Sequence, residues 1–307
     1  MTKQYYKLQR SLDKDAFSKD VTKGKDGWLF LGQVTPGYKR FSDPIGDAMH
    51  VSRYTPEQLD AFIDYITTLQ KWLKQKGIQY LFVIAPNKHT IYFEKLPDYI
   101  KKQNIESVTD QLVKALKDRT SIPVVDLRKS LLKAKGKYQL YYKTDSHWTH
   151  YAANIAQFEI MKRIQLMFPK RLTPKLYPDS FFSIFQKKDG DLCKLSKIVG
   201  ISEKSPQPNF TGKDPVRKNI EENDKFFQTT CHSGNINAVI FRDSFFGYLV
   251  PYFSRKFNKT TFIWDMLSYE KLTKTLNKGK PDLVIEEWIE RTLPYIPEEQ
   301  TLFKKDL

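Results

Sequence analysis

Tyr80-Leu81-Phe82-Val83-Ile84-Ala85-Pro86 is an unbroken apolar run closed by proline. A half-exposed strand alternates apolar and polar side chains, so a run without alternation reads as a strand buried on both faces, the arrangement of a parallel sheet covered by helices. Upstream, Thr55-Pro56-Glu57 caps a predicted helix through about Lys76, with Leu59, Phe62, Ile66, Leu69 and Leu73 at three- and four-residue spacing and Gly77 at its end. Downstream, helices are predicted over residues 105–117 and 149–167, and Pro123-Val124-Val125-Asp126-Leu127 repeats the short strand pattern. Ala238-Val239-Ile240-Phe241, Thr261-Phe262-Ile263-Trp264 and Asp282-Leu283-Val284-Ile285 complete the strands, and residues 245–257 read as a helix bent by Pro251. Near the start, glycines around Trp28-Leu29-Phe30-Leu31 indicate a hairpin or an entering strand. Strands alternating with helices give an α/β fold, with a mostly parallel sheet flanked by helices.

With 307 residues, 40% of them hydrophobic, the chain is long enough to bury such a sheet in one domain spanning 1–307. Between residues 169 and 237 the periodicity fades into Pro, Lys, Asp and Asn, which predicts a loop-rich insertion or lid. Lys and Arg total 51 against 35 Asp and Glu, a formal charge of +16 that attracts polyanions. These cations are scattered, with no recognition helix, RNA-binding aromatic signature or zinc-finger spacing, so nucleic acid is not an expected partner. No window approaches the ~18–20 apolar residues of a membrane span, and residues 1–10 lack the apolar core of a secretory signal. Cys193 and Cys231 fit neither a CxxC site nor a metal cluster; they leave one disulfide, favoured in an exported protein, or two separate thiols.

Chemistry concentrates in Lys143-Thr144-Asp145-Ser146-His147-Trp148 and Phe241-Arg242-Asp243-Ser244-Phe245. In an extended segment, side chains at i and i+2 share a side, so Asp145 can steady one ring nitrogen of His147 while the other faces a hydroxyl. Ser244 is the candidate for that hydroxyl, because it sits where a buried strand passes into a helix, the edge at which such sheets bind ligands. Taken alone, Asp243-Ser244 is an ordinary helix cap, Asp145 another, and His147 a core histidine beside Trp148; a base, its orienting acid and a nucleophile in one chain favour serine-dependent acyl transfer. His150 makes an H-x-x-H with His147 but has no third ligand at helical spacing, and His50, His89 and His232 add no cluster, so no metal is expected. Trp28, Trp148 and Trp264 have the chemistry to stack on sugar rings, although a core role is the default for each.

The same two segments, with Gly27-Trp28-Leu29-Phe30, Pro86-Asn87-Lys88, Ile91-Tyr92, Leu96-Pro97, Gly190-Asp191-Leu192, Pro251-Tyr252-Phe253 and the stretch from Pro281 through Trp288 to Arg291, occur in an order that resembles the SGNH-hydrolase-like O-acetyltransferases of alginate biosynthesis, the AlgJ/AlgX type. The resemblance covers most of residues 24–293. It implies a flavodoxin-like sheet with Ser244 as nucleophile, His147 as general base and Asp145 as its orienting acid. Asp-x-His precedes the serine here and Arg242 replaces the glycine of ordinary SGNH hydrolases, an order that matches the acetyltransferase branch. Arg242, Asn87 and Lys88 are candidates for oxyanion or substrate contacts from their position at strand ends. Glu287 and Arg291 are expected one helical turn apart as a structural ion pair.

The resemblance further implies an acetyl group passed through acyl-Ser244 to a hydroxyl of a cell-surface or extracellular polysaccharide, with no diffusible cofactor. The expected partners are that polysaccharide, with an anionic one favoured by the basic surface, and a membrane-bound acyltransferase that delivers acetyl groups. The expected location is extracytoplasmic, either periplasm or cell surface, with the signal or anchor outside this chain. The same triad also serves a carbohydrate acetyl esterase, with water as acceptor, and a glycan-binding module without catalysis is the third alternative.

Overall fold

A computed structural model of the protein describes residues 20–32, 43–220, 225–231 and 234–307. The strands are β1 (Val21–Lys23), β2 (Leu29–Leu31), β3 (Gln79–Ala85), β4 (Val124–Asp126), β5 (Phe182–Lys188), β6 (Ser202–Pro208), β7 (Val216–Asn219), β8 (Phe226–Thr230), β9 (Asn237–Phe241), β10 (Lys259–Ile263) and β11 (Leu283–Ile289). Seven form the main sheet in the order β4-β3-β11-β9-β10-β8-β7. The first five are parallel, and β8 and β7 add an antiparallel edge.

Alternate residues of β3 enter different cores, which accounts for its unbroken apolar sequence. Leu81, Val83 and Ala85 pack with the helix His150–Met167 and with Tyr252 and Phe253. Tyr80, Phe82 and Ile84 pack on the other face with the helices Pro56–Gln75 and Val108–Arg119. Thr55 and Gln58 form a reciprocal capping box at the start of Pro56–Gln75, satisfying two N–H groups that a helix end leaves orphaned. The fold class matches the expectation from sequence.

Three local expectations differ, and the open choice between a disulfide and two thiols is resolved. The interval 169–237 carries much regular structure: β5 and β6 form a separate two-stranded antiparallel sheet, and β7 and β8 extend the main one. Polar alternation hid these strands, since β5 buries little beyond Phe182. Residues 245–257 are broken rather than bent, with a 3-10 turn Phe245–Tyr248 before the helix Val250–Lys256, where Pro251 sits in the first turn and its missing N–H costs no helical bond.

Strand β11 continues through Glu286 and Glu287 to Ile289, so Glu287 and Arg291 are not one helical turn apart. Glu286 is fully buried yet accepts from the hydroxyls of Tyr65 and Tyr80 and from the Trp288 indole, so fixed donors replace its water. No disulfide joins Cys193 to Cys231. Cys193 packs with Val21, Leu29 and Leu31, and the Cys231 thiol is directed at the Arg255 carbonyl. His232 lies outside the described residues.

Candidate active site

Residues 140–149 fold back on themselves through Tyr142 N–H to His147 C=O (3.3 Å) and Thr149 N–H to Leu140 C=O (2.8 Å), which puts Asp145, Ser146 and His147 at the turn. The second segment leaves β9 at the carboxyl edge of the sheet. The Trp148 indole donates to the Phe245 carbonyl at 3.0 Å and fastens the two loops together. Ser244 Oγ lies 2.8 Å from His147 Nε2, and His147 Nδ1 lies 2.8 Å from Asp145 Oδ1. The same Asp145 oxygen accepts the His147 backbone N–H at 2.9 Å, so ring and main chain are held together. Hydroxyl, imidazole and carboxylate therefore form one continuous relay, able to take a proton from an attacking serine and return it to a leaving group.

Asp145 is buried. Burial alone would raise its carboxyl, but the hydrogen bond and charge of His147, together with the Lys187 ammonium, outweigh it and hold the group well below the usual carboxylate range. Lys187 comes from β5, with Nζ 3.1 Å from Asp145 Oδ2. Asp191 supplies a second carboxylate: it accepts the Ser146 N–H at 2.6 Å and the Ser146 hydroxyl, and stands 3.5 Å from His147 Nδ1. Asp145, His147 and Asp191 offer donors within 4.8 Å of one another, close enough to share a cation, and the ammonium of Lys187 is the positive charge the fold places beside them. Glu203 of β6 accepts the N–H groups of Lys143 (2.7 Å) and Thr144 (2.9 Å). The 182–208 hairpin thus supports the Asp145–His147 loop from outside.

Gly190 permits that support by close approach, since a Cβ there would stand 2.3 Å from the Thr144 carbonyl oxygen and 2.7 Å from Asp145 Cβ. On the other side, Asp243 ties the Ser244 turn to β11: its carboxylate accepts the N–H groups of Phe245 (2.7 Å) and Ile289 (3.1 Å), and its own N–H donates to Glu287 at 3.0 Å. Burial raises both acids, Glu287 well above the usual range because Asp243 is beside it.

The three candidate oxyanion or substrate residues separate. Lys88 is buried with its ammonium spent on the carbonyls of Leu29, Lys143 (2.9 Å) and Asp145 (3.1 Å). It braces the loop from within, and burial lowers it to about 7. Arg242 donates to the Asp243 carbonyl (3.0 Å) and stacks its guanidinium on Trp264, so it is directed to the β10 side of the strand end. Asn87 is 1% exposed, takes a 3.4 Å contact from Arg291 on its Oδ1, and has no partner for its Nδ2. Arg291 in turn lies against the Phe245 ring, next to Ser244. His150 is no ligand partner of His147: it is buried against the Tyr248 ring, and burial lowers it to about 4. Sequence reasoning missed Lys187, Asp191 and Glu203, although Gly190-Asp191-Leu192 was a visible signal without an assigned role.

Known proteins share this fold. The SGNH hydrolase-like domain of acetyltransferase AlgX matches residues 21–233. A probable alginate O-acetylase AlgJ of Pseudomonas fluorescens is 26% identical over 201 residues, 65% of this chain and 46% of the relative, so the chain spans less than half the length of that protein. The structure of Bacillus cereus PatB1 superposes with TM-score 0.61 at 14% identity, covering 90% of this chain and 99% of its own. The O-acetyltransferase domain of Pseudomonas putida AlgJ gives 0.55 at 17% identity, covering 94% and 99%. The match over residues 21–233, and a fold shared along nearly the whole chain, place the protein in the family of SGNH hydrolase-like domains of the acetyltransferase AlgX type.

Proposed function

We propose that the protein is an O-acetyltransferase that carries an acetyl group on Ser244 and passes it to a hydroxyl of an extracytoplasmic polysaccharide. The observation that carries this reading is the relay of two 2.8 Å contacts from Ser244 through His147 to Asp145. His147 takes the proton as Ser244 Oγ attacks the acetyl carbonyl, and Asp145 stabilises the imidazolium that forms. The imidazolium then protonates the leaving group. In the second half-reaction His147 deprotonates the sugar hydroxyl, which attacks acyl-Ser244 and returns the serine. Asn87 Nδ2, a buried donor with no other partner, is assigned to the developing oxyanion.

The relatives named for alginate acetylation support a polysaccharide acceptor. The acetyl donor is assigned to a membrane-bound acyltransferase partner, and the site of action to the periplasm or cell surface. Among the described residues no helix is long and apolar enough to cross a membrane. Incubation with a soluble acetyl ester, with and without oligosaccharides, tests the proposal: acetyl groups are expected on the glycan. Hydrolysis that no glycan diverts would make the enzyme an esterase instead.

A further inference from the structure

Four of the tryptophans, Trp28, Trp72, Trp148 and Trp288, are buried, whereas Trp264 is 43% exposed. It follows β10 at the carboxyl edge of the sheet, where β10 lies beside β9, the strand that leads to Ser244. Its N–H bonds the Lys225 carbonyl at 2.8 Å, so its backbone is pinned. Arg242, only 6% exposed, lays its guanidinium 4.6 Å from the indole centroid, and its Nε has no hydrogen-bond partner. Phe227 lies beneath, 5.9 Å from the Arg242 guanidinium, and carries the Arg217 guanidinium at 3.9 Å. A cavity of about 290 Å³ opens beside the indole; its lining includes Lys225, Trp264, Glu270 and Lys274 and the ion pair of Lys271 with Asp265.

An exposed indole held rigid by its backbone and by a stacked cation presents an apolar face at little further entropic cost, the property of an anchor residue in a binding site. Cations outnumber acids around it, which selects for negative groups on whatever stacks there. Adjacent strands are about 4.8 Å apart, and β10 pairs with β9 up to Ile263 opposite Phe241, so Trp264 and Ser244 leave neighbouring strands at the same edge of the sheet.

We propose that Trp264, Arg242 and the adjoining cavity form an acceptor subsite, which stacks a pyranose ring of a carboxylate-bearing glycan on the indole face and leaves a neighbouring sugar at Ser244. Its role as acceptor site rests on the acyl-transfer reading. Its capacity to bind does not, because binding can be measured with no acyl donor present.

Isothermal titration of the full chain with a polyuronate hexasaccharide and with neutral cellohexaose, at low and high salt, tests it. The polyuronate is expected to bind in a salt-sensitive way and at least about tenfold more tightly than cellohexaose. Trp264→Ala is expected to weaken polyuronate binding at least about tenfold, and Trp264→Phe, which keeps a ring, by no more than about threefold. Lys274→Glu on the exposed rim should also weaken it, and it keeps the test readable if Trp264→Ala fails to fold. Absence of polyuronate binding, equal affinity for the neutral glycan, or unchanged affinity in folded Trp264→Ala and Lys274→Glu would each overturn the subsite. None of these results bears on whether Ser244 is acylated.

Discussion

Lys187 Nζ lies 3.1 Å from Oδ2 of Asp145, the carboxylate whose other oxygen holds His147. With Asp191 also near the imidazole, two negative charges face one ring, and the lysine cancels one of them. Lys187 also helps to hold the Asp145 carboxyl well below the usual carboxylate range, and without it a buried carboxylate loses charge compensation. Lys187→Met is therefore expected to lower kcat by about threefold to tenfold as the Asp145–His147 pair loosens, and Lys187→Arg to restore it. An unchanged kcat in Lys187→Met would contradict this role.

Asp191→Asn withdraws one of the two carboxylates near the imidazole and is expected to leave kcat within about threefold of the parent. It retains an oxygen for the Ser146 N–H, so the loop stays anchored. Asp191→Ala removes the anchor as well. Its kcat is expected to fall further than that of Asp191→Asn, by about tenfold or more as the relay loosens. Equal kcat values for the two variants would show that the anchor does not matter.

Gly190→Ala places a methyl 2.3 Å from the Thr144 carbonyl oxygen, against that backbone and the Asp145 Cβ rather than the far end of a flexible side chain. Overpacking of this kind costs about 1–3 kcal/mol, and the strain falls on the Asp145 loop. Denaturant titration is expected to show that loss together with reduced activity. A variant as stable as the parent would mean that the 182–208 hairpin can shift away without penalty.

Burial depresses His89 to about 3 and His150 to about 4, from an ordinary 6.5. Above pH 6.5 both rings are neutral in the folded and the unfolded chain. As the pH falls below 6.5 only the unfolded chain takes up their protons, so stability drops until the folded chain also protonates them. The urea midpoint is expected to fall between pH 6.5 and about 4, with a shallower slope in His89→Gln and in His150→Gln. Identical slopes in the parent and both variants would remove these histidines from the account.

Much of this was legible because the signals are local. The apolar run at residues 80–85 gave a buried strand, and two cores do share its alternate side chains. Asp145, His147 and Ser244 were recognisable from residue type, from the i, i+2 spacing and from the strand end, and the structure brings them into contact. Lys187 and Glu203 lie on strands with little apolar face, and Asp191 opens a helix of only five residues, so neither period stood out. Their meaning depends on pairing across the hairpin, where Lys187 stands opposite Glu203. Glu287 was paired with Arg291 on a helix and Glu286 had no assigned role, because the donors that reach these buried acids come from distant segments, Tyr65, Tyr80 and the Asp243 backbone. Lys88 and Arg242 were placed at the correct edge, but a strand end does not tell which way a long side chain turns.

Ser244 as the acyl carrier is the claim on which the enzymatic account stands, and intact-mass spectrometry after exposure to a slow acetyl donor tests it most directly. The account predicts a single acetyl adduct that maps to Ser244, is absent in Ser244→Ala and forms far more slowly in His147→Ala. An adduct that maps elsewhere, or one that persists in Ser244→Ala, would contradict it.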